Sequence, residues 1–129
     1  MHVLRSGIDI VEIDRLEGLK SGTRSRFLER VFTSRELAEA GASDAGLMGR
    51  FAAKEAVAKA LGSGIGDIGW KDIEIVEDER GAPQVHLHGM AKQRAEGIGL
   101  KLWSVSISHS RTHAVAVAVA LGFSAEVSN

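Results

Sequence analysis

Two carboxylates stand where this chain would otherwise bury apolar side chains. Asp9 lies in GIDIVEI, part of an alternating stretch over residues 3 to 13 that reads as a strand. Ile8 and Ile10 share one face of it, and Asp9, Val11 and Ile13 share the other. Glu55 lies in RFAAKEAVAKALGSGIG, residues 50 to 66, a helix running into a glycine-rich turn. At about 100° per residue, Leu47, Phe51, Val57, Ala58 and Leu61 form one apolar arc, and Arg50 and Lys54 fall inside it. Glu55 and Lys59, at i and i+4, sit side by side on its edge. Burying two acids beside apolar neighbours is costly unless a cation compensates. A shared divalent ion, its remaining shell left to water and phosphate oxygens, is the usual magnesium arrangement. The same pattern fits a plainer case, in which Asp9 meets solvent and Glu55 pairs with Lys59 across one helical turn.

Other stretches add polar groups. GSGIG, residues 62 to 66, could cradle phosphate with backbone N–H groups, but it follows a helix, whose C-terminal dipole opposes an anion. Gly62 alone reads as a helix C-cap. SISHSRTH, residues 106 to 113, gathers hydroxyls, imidazoles and a guanidinium at a hairpin tip, a set suited to a phosphorylated ligand. His86 and His88 alternate on one strand face without a third ligand nearby and read as surface residues. There is no G-x-S-x-G elbow for a serine triad and no cysteine for a thiol nucleophile or a thiolate zinc site.

The elements that must position these groups follow from pattern. Residues 14 to 31 read as one broken or two short helices, weakened at Gly18 and Gly22 and rich in Arg15, Lys20, Arg24, Arg26 and Arg30. TSRE, residues 33 to 36, matches a capping box and opens a short helix to about Ala40. Residues 41 to 46 read as a loop. DIEIVEDERGAPQVHLHG, residues 72 to 89, is a hairpin turning at Gly81 and Pro83. Residues 90 to 99 form a short helix ended by Gly97, and two strands joined by HSRT close the chain. Both faces of the last strand are apolar, which makes it central or a subunit contact. The order predicts an α+β fold, a small, mostly antiparallel sheet packed against helices.

At 129 residues the chain forms one domain, 1 to 129. With 44% apolar and 26% charged residues, disorder and fibrous classes are excluded. A net charge of −1 argues against a chain whose affinity comes from neutralising nucleic-acid phosphates. Acidic residues precede any long apolar stretch, unlike a signal peptide, and the apolar run at 114 to 123 is too short for a helical membrane span. A cytoplasmic protein is the expectation.

Taken together, GIDIVEIDRL, FTSRELAEA, GRFAAKEAVAKALGSGIG, the 72 to 89 hairpin and WSVSISHSRTHAVAVAVA resemble the small bacterial holo-[acyl-carrier-protein] synthases, the short, trimeric 4′-phosphopantetheinyl transferases. The resemblance covers nearly the whole chain in order. It implies transfer of 4′-phosphopantetheine from coenzyme A to a serine of apo acyl carrier protein, releasing adenosine 3′,5′-bisphosphate, and a place in fatty acid biosynthesis. By resemblance, Asp9 and Glu55 hold magnesium, and Lys59 neutralises the diphosphate and is a candidate for proton transfer, with a water held at Asp9 as the rival base. Arg50 and Lys54 would face phosphate or a neighbouring subunit. Gly62, Gly64 and Gly66 match the family's glycine turn, and Ser108 and His109 its histidine near the nucleotide phosphates. ERGAP, residues 79 to 83 and including Pro83, matches a loop that approaches adenine across a subunit boundary. There Arg80 and Ala82 depart from the asparagine and lysine of many relatives. Arg15, Lys20, Arg24, Arg26 and Phe27 match the docking helix for the acidic carrier. A homotrimer with active sites between subunits is implied. Two alternatives stay open: a metal-dependent phosphohydrolase of coenzyme A or nucleotides, and a non-catalytic carrier-binding module.

Overall fold

The computed structural model describes residues 1–63 and 66–124. Strand β1 (His2–Glu12) leads into two short helices, α1 (Asp14–Glu17) and α2 (Ser21–Val31), then α3 (Ser34–Ala40) and the long α4 (Asp44–Ala60). A 3₁₀ turn at Trp70–Asp72 introduces the hairpin of β2 (Ile73–Glu77) and β3 (Pro83–Leu87). Helix α5 (Gly89–Ile98) and strands β4 (Leu100–His109) and β5 (His113–Phe123) complete the order. This is the predicted α+β architecture. Strands β1, β5 and β4 form one antiparallel sheet with β5 central, and β2 pairs with β3 in a second. Among the described residues no helix is long and apolar enough to cross a membrane.

Period two decides which face of the three-stranded sheet is buried. Gly7 and Val11 of β1, with Ala114, Ala116, Ala118 and Ala120 of β5, turn inward, and α4 lies along them. Small side chains on both surfaces let backbones approach closely. A Cβ on Gly7 would sit 2.0 Å from the Ala56 carbonyl oxygen, so only glycine lets α4 ride this near β1. The opposite face exposes Leu4, Ile8, Ile10, Leu102, Val117, Val119, Leu121 and Phe123.

Helix starts follow their caps. Thr33 and Glu36 make the predicted capping box, Glu36 N–H donating to Thr33 Oγ1 at 3.2 Å and Thr33 N–H to Glu36 Oε1 at 2.8 Å. Helix α4 begins inside the segment predicted as loop, because Ser43 Oγ accepts the Gly46 N–H at 2.9 Å and caps it at Asp44. Helix α5 runs past Gly97 to Gly99, whose φ of +95° supplies the left-handed C-cap.

Candidate functional site

Helix α4 carries charge on two opposite sides, and each side builds a different cluster. On the sheet side of its C-terminal half, Lys59 Nζ donates to Asp9 Oδ1 at 3.2 Å and to the Ile8 carbonyl at 2.9 Å. Asp9 reaches it because the inward alternation of β1 places it beside Gly7 and Val11, with its side chain only 18% exposed. Lys59 therefore bridges to the strand and does not pair with Glu55 across the turn. Glu55 is half-buried, and among the described residues no donor hydrogen-bonds its carboxylate. Burial, then the nearby Asp9 charge, pushes the Glu55 carboxyl above its ordinary range, with Lys59 pulling the other way. Glu55 opens onto a cleft shared with Arg30, Gly66, Ile68, Gly69 and Trp70.

Two neighbouring acids, one raised by burial and by the other's charge, fit a small divalent cation. Among the described residues no group of three or more His, Cys, Asp or Glu side chains is arranged for a metal. Asp9 and Glu55 are the two acids among the described residues that could hold it here, leaving positions for water and phosphate oxygens.

Arg50 faces the other way. It stands nine residues before Lys59, about half a revolution round the helix at 100° per residue. Its side chain is 9% exposed, with Nη2 donating to Glu39 Oε1 and Glu77 Oε1, both at 3.2 Å, and Nη1 to the Gly46 carbonyl at 3.3 Å. Its Nε is buried with no partner among the described residues. This guanidinium lies in a cleft of about 380 Å³ lined also by Gly49, Gly81, Pro83, Ile107 and His109. His109 Nδ1 donates to the Ser110 carbonyl at 3.2 Å, which leaves Nε2 as the ring's other polar atom.

The structure thus divides the predicted site residues. Asp9, Glu55 and Lys59 come together, and Gly66 lies beside Glu55. Arg50, Pro83 and His109 come together elsewhere. Ser108, one residue before His109, shares the exposed outer parity of β4 with Ser104 and Ser106 and does not join that cleft. Gly62 ends α4 at φ +72°, and Gly64 lies outside the described residues.

Lys54 corrects the prediction that it faces phosphate or another subunit. It is fully buried and bonded within its own chain, to Glu36 Oε1 at 2.8 Å and to the carbonyls of Trp70 and Ile73. Glu36 completes the arrangement by accepting the Ile75 N–H at 2.9 Å. An ionic core explains Lys54 in the apolar arc. Glu36 carries the local signature of a capping box, but its pairing with Lys54, eighteen residues on and on another helix, carries none.

The basic docking residues are also sorted. Arg15, Lys20 and Arg26 are exposed, whereas Arg24 staples α2 to the start of α4 through Asp44 Oδ1 at 2.6 Å and to the Leu16 carbonyl at 3.2 Å. Phe27 packs against Phe32 and Phe51, and Phe51 stacks on Trp70 at 4.9 Å. Arg15 and Phe27 line a small apolar cleft with Leu16, Leu19, Thr23, Met48 and Phe51. Arg30 lines the Glu55 cleft, a place that the sequence pattern did not assign to it. Its place four residues after Arg26, on the same helical face, was the available signal.

An α+β domain whose long helix pins paired carboxylates and a lysine against one strand defines a candidate metal-assisted, phosphate-handling enzyme. The chain belongs to the 4′-phosphopantetheinyl transferase superfamily, whose family model matches residues 5–118. It is 43% identical over 112 residues to the holo-[acyl-carrier-protein] synthase of Herpetosiphon aurantiacus, covering 81% of this chain and 88% of that protein. Identity to the holo-[acyl-carrier-protein] synthase of Moorella thermoacetica is 49% over 109 residues, covering 81% and 84%. The crystal structure of the Helicobacter pylori holo-[acyl-carrier-protein] synthase in complex with coenzyme A superposes with a TM-score of 0.80 at 35% identity, covering 89% of this chain and 98% of that one.

Proposed function

We propose that this chain transfers the 4′-phosphopantetheine of coenzyme A to a serine of apo acyl carrier protein, in the cytoplasm, with magnesium at Asp9 and Glu55, in a homotrimer whose active sites lie between subunits. The serine oxygen forms a bond to the β-phosphorus as the bond from that phosphorus to the bridging oxygen breaks. Adenosine 3′,5′-bisphosphate leaves, and the serine proton passes to a base at the site. Magnesium, when bound, neutralises charge on the diphosphate and polarises its phosphoryl oxygens. Asp9 and Glu55 orient that charge from two different elements. Lys59, a donor to Asp9 and to the Ile8 carbonyl, brings a cation to the same corner and suits charge neutralisation there.

The observation that carries this reading is the acid pair itself. A raised Glu55 beside Asp9 is an excess of negative charge that a divalent cation held by the two carboxylates would offset. Two further features support its wider parts. The phosphate-type side chains Arg50 and His109 lie on the far side of α4 from the acids, which supports a ligand held between two chains. Beside the serines of β4, the outer sheet face exposes Leu4, Ile8, Ile10, Leu102, Val117, Val119, Leu121 and Phe123, more apolar surface than monomers usually leave uncovered. Exposed Arg15, Lys20 and Arg26 beside the apolar Phe27 cleft suit an acidic helical partner, because complementary charge steers encounter and fixes register.

Intact-mass spectrometry of an apo acyl carrier protein incubated with the chain, coenzyme A and magnesium tests the reaction. A gain of one phosphopantetheine, lost in EDTA, is the expected result. Consumption of coenzyme A without that gain would make the chain a hydrolase. Neither change, across several carriers, would leave only a binding role.

A further inference from the structure

Arg94 belongs to neither cluster, yet it closes the helix that carries Glu55 and Lys59. Helix α4 ends with two bonds typical of a glycine-terminated helix: Gly62 N–H to the Lys59 carbonyl at 2.9 Å, and Ser63 N–H to the Ala58 carbonyl at 3.1 Å. From α5, Arg94 reaches across to two carbonyls just beyond them. Its Nε donates to Leu61 O at 2.9 Å and its Nη2 to Gly62 O at 3.3 Å. A second guanidinium adjoins this corner, since a Cβ on Gly62 would lie 3.3 Å from Nη1 of Arg5 on β1.

The placement matters because of the sign of the field. The C-terminal end of a helix carries about half a negative charge, confined to its last turn. A diphosphate recruited by Lys59 would arrive at that turn and be repelled. Solvent alone could satisfy the two carbonyls, one of which is at an exposed bond, so their hydrogen bonding does not require an arginine. A guanidinium there supplies what water does not, a full positive charge fixed on the final carbonyls.

We propose that Arg94 is a positioning residue for the phosphorylated ligand. Together with Arg5 it reverses the electrostatic sign of the α4 C-terminus and holds the turn after Lys59, without itself touching the ligand. The inference rests on the phosphopantetheinyl-transfer reading, which brings an anion to this end of the helix.

The test compares wild type, Arg94→Gln and Arg94→Lys in initial-rate assays of carrier modification, varying coenzyme A at low and at physiological salt, with thermal melts alongside. Arg94→Gln should raise KM for coenzyme A roughly two- to fivefold at low salt, the range a charge at a helix end provides, while kcat stays nearly constant. The difference should shrink as salt screens the field, and Arg94→Lys, which keeps the charge, should recover most of it. A folded Arg94→Gln with wild-type KM at low salt overturns the proposal. Equal losses in Gln and Lys variants also overturn it, because they would assign Arg94 a purely structural clamp. If Arg94→Gln lost its cooperative melt, Arg5→Gln would read the same field from an exposed position, and an unchanged KM there would overturn it. A wild-type chain that modifies no carrier would instead refute the functional reading beneath it, a distinct outcome from normal turnover with an indifferent Arg94→Gln.

Discussion

Glu55 sets stability against function at a single carboxylate. Burial and the Asp9 charge raise its folded-state pKa above the value it has in the unfolded chain. A raised carboxyl binds its proton more tightly when folded, so stability is present at low pH and declines as pH rises through the window between the two values. At pH values above that window the raised Glu55 carboxyl is a net loss to the stability of the metal-free protein. Glu55→Gln should therefore raise the melting temperature of the metal-free protein at neutral pH, and the gain should fade as pH is lowered into the carboxylate range. The same variant should lose the stabilisation that magnesium with coenzyme A gives wild type, and nearly all carrier modification. Melts across pH, with and without magnesium, check all three. Asp9 was legible because alternation in β1 and helical period in α4 each force an acid toward apolar neighbours. Arg50 and Lys54 were not separable by the same means. Both interrupt the apolar arc, but Lys54 ends in a buried pair with Glu36 while Arg50 ends in a cleft, and only the tertiary partners differ.

The α3 and α4 helices are locked by that buried pair more than by any local propensity. Burial pulls the Lys54 ammonium below its ordinary range, and Glu36 opposes the shift. Glu36 also accepts N–H groups from Thr33 and Ile75, so one carboxylate ties a helix cap, a second helix and strand β2. Lys54→Met would leave a charged carboxylate buried without its cation and should cost about 3–5 kcal/mol in urea denaturation. Adding Glu36→Gln, neutral but still an acceptor, should recover part of that loss. A Lys54→Met chain as stable as wild type would remove the pair from the core's energetics. Element identities were readable from period and turn chemistry, and the Thr33 capping box was read to the residue. Boundaries were less so. Gly97 stayed helical because the next turn offered Gly99 at positive φ, and α4 started early because Ser43 was free to cap it.

At the scale of the whole molecule, the separation of the two clusters becomes a prediction about assembly. Asp9, Glu55 and Lys59 face one side of α4, and Arg50 and His109 line a cleft on the other, so in the proposed trimer one coenzyme touches both sets through two subunits. The exposed apolar residues of β1 and β5 were foreshadowed by the last strand, where valines alternate with the alanines that turn inward. What covers them is not written in one chain, because in the proposed trimer the covering surface belongs to another copy. In a cyclic trimer each interface is heterologous, joining the acid cluster of one subunit to the arginine–histidine cleft of the next. Asp9→Ala and His109→Ala homotrimers should then each lose most activity for different reasons. Co-refolded in equal amounts, they should regain about a quarter of wild-type activity, since random assembly pairs an intact acid cluster with an intact cleft at one interface in about four. Carrier modification by the mixture, corrected for each parent, reads this directly. Recovery near a quarter requires sites shared between chains, whereas a mixture no better than its parents would confine each site to one subunit.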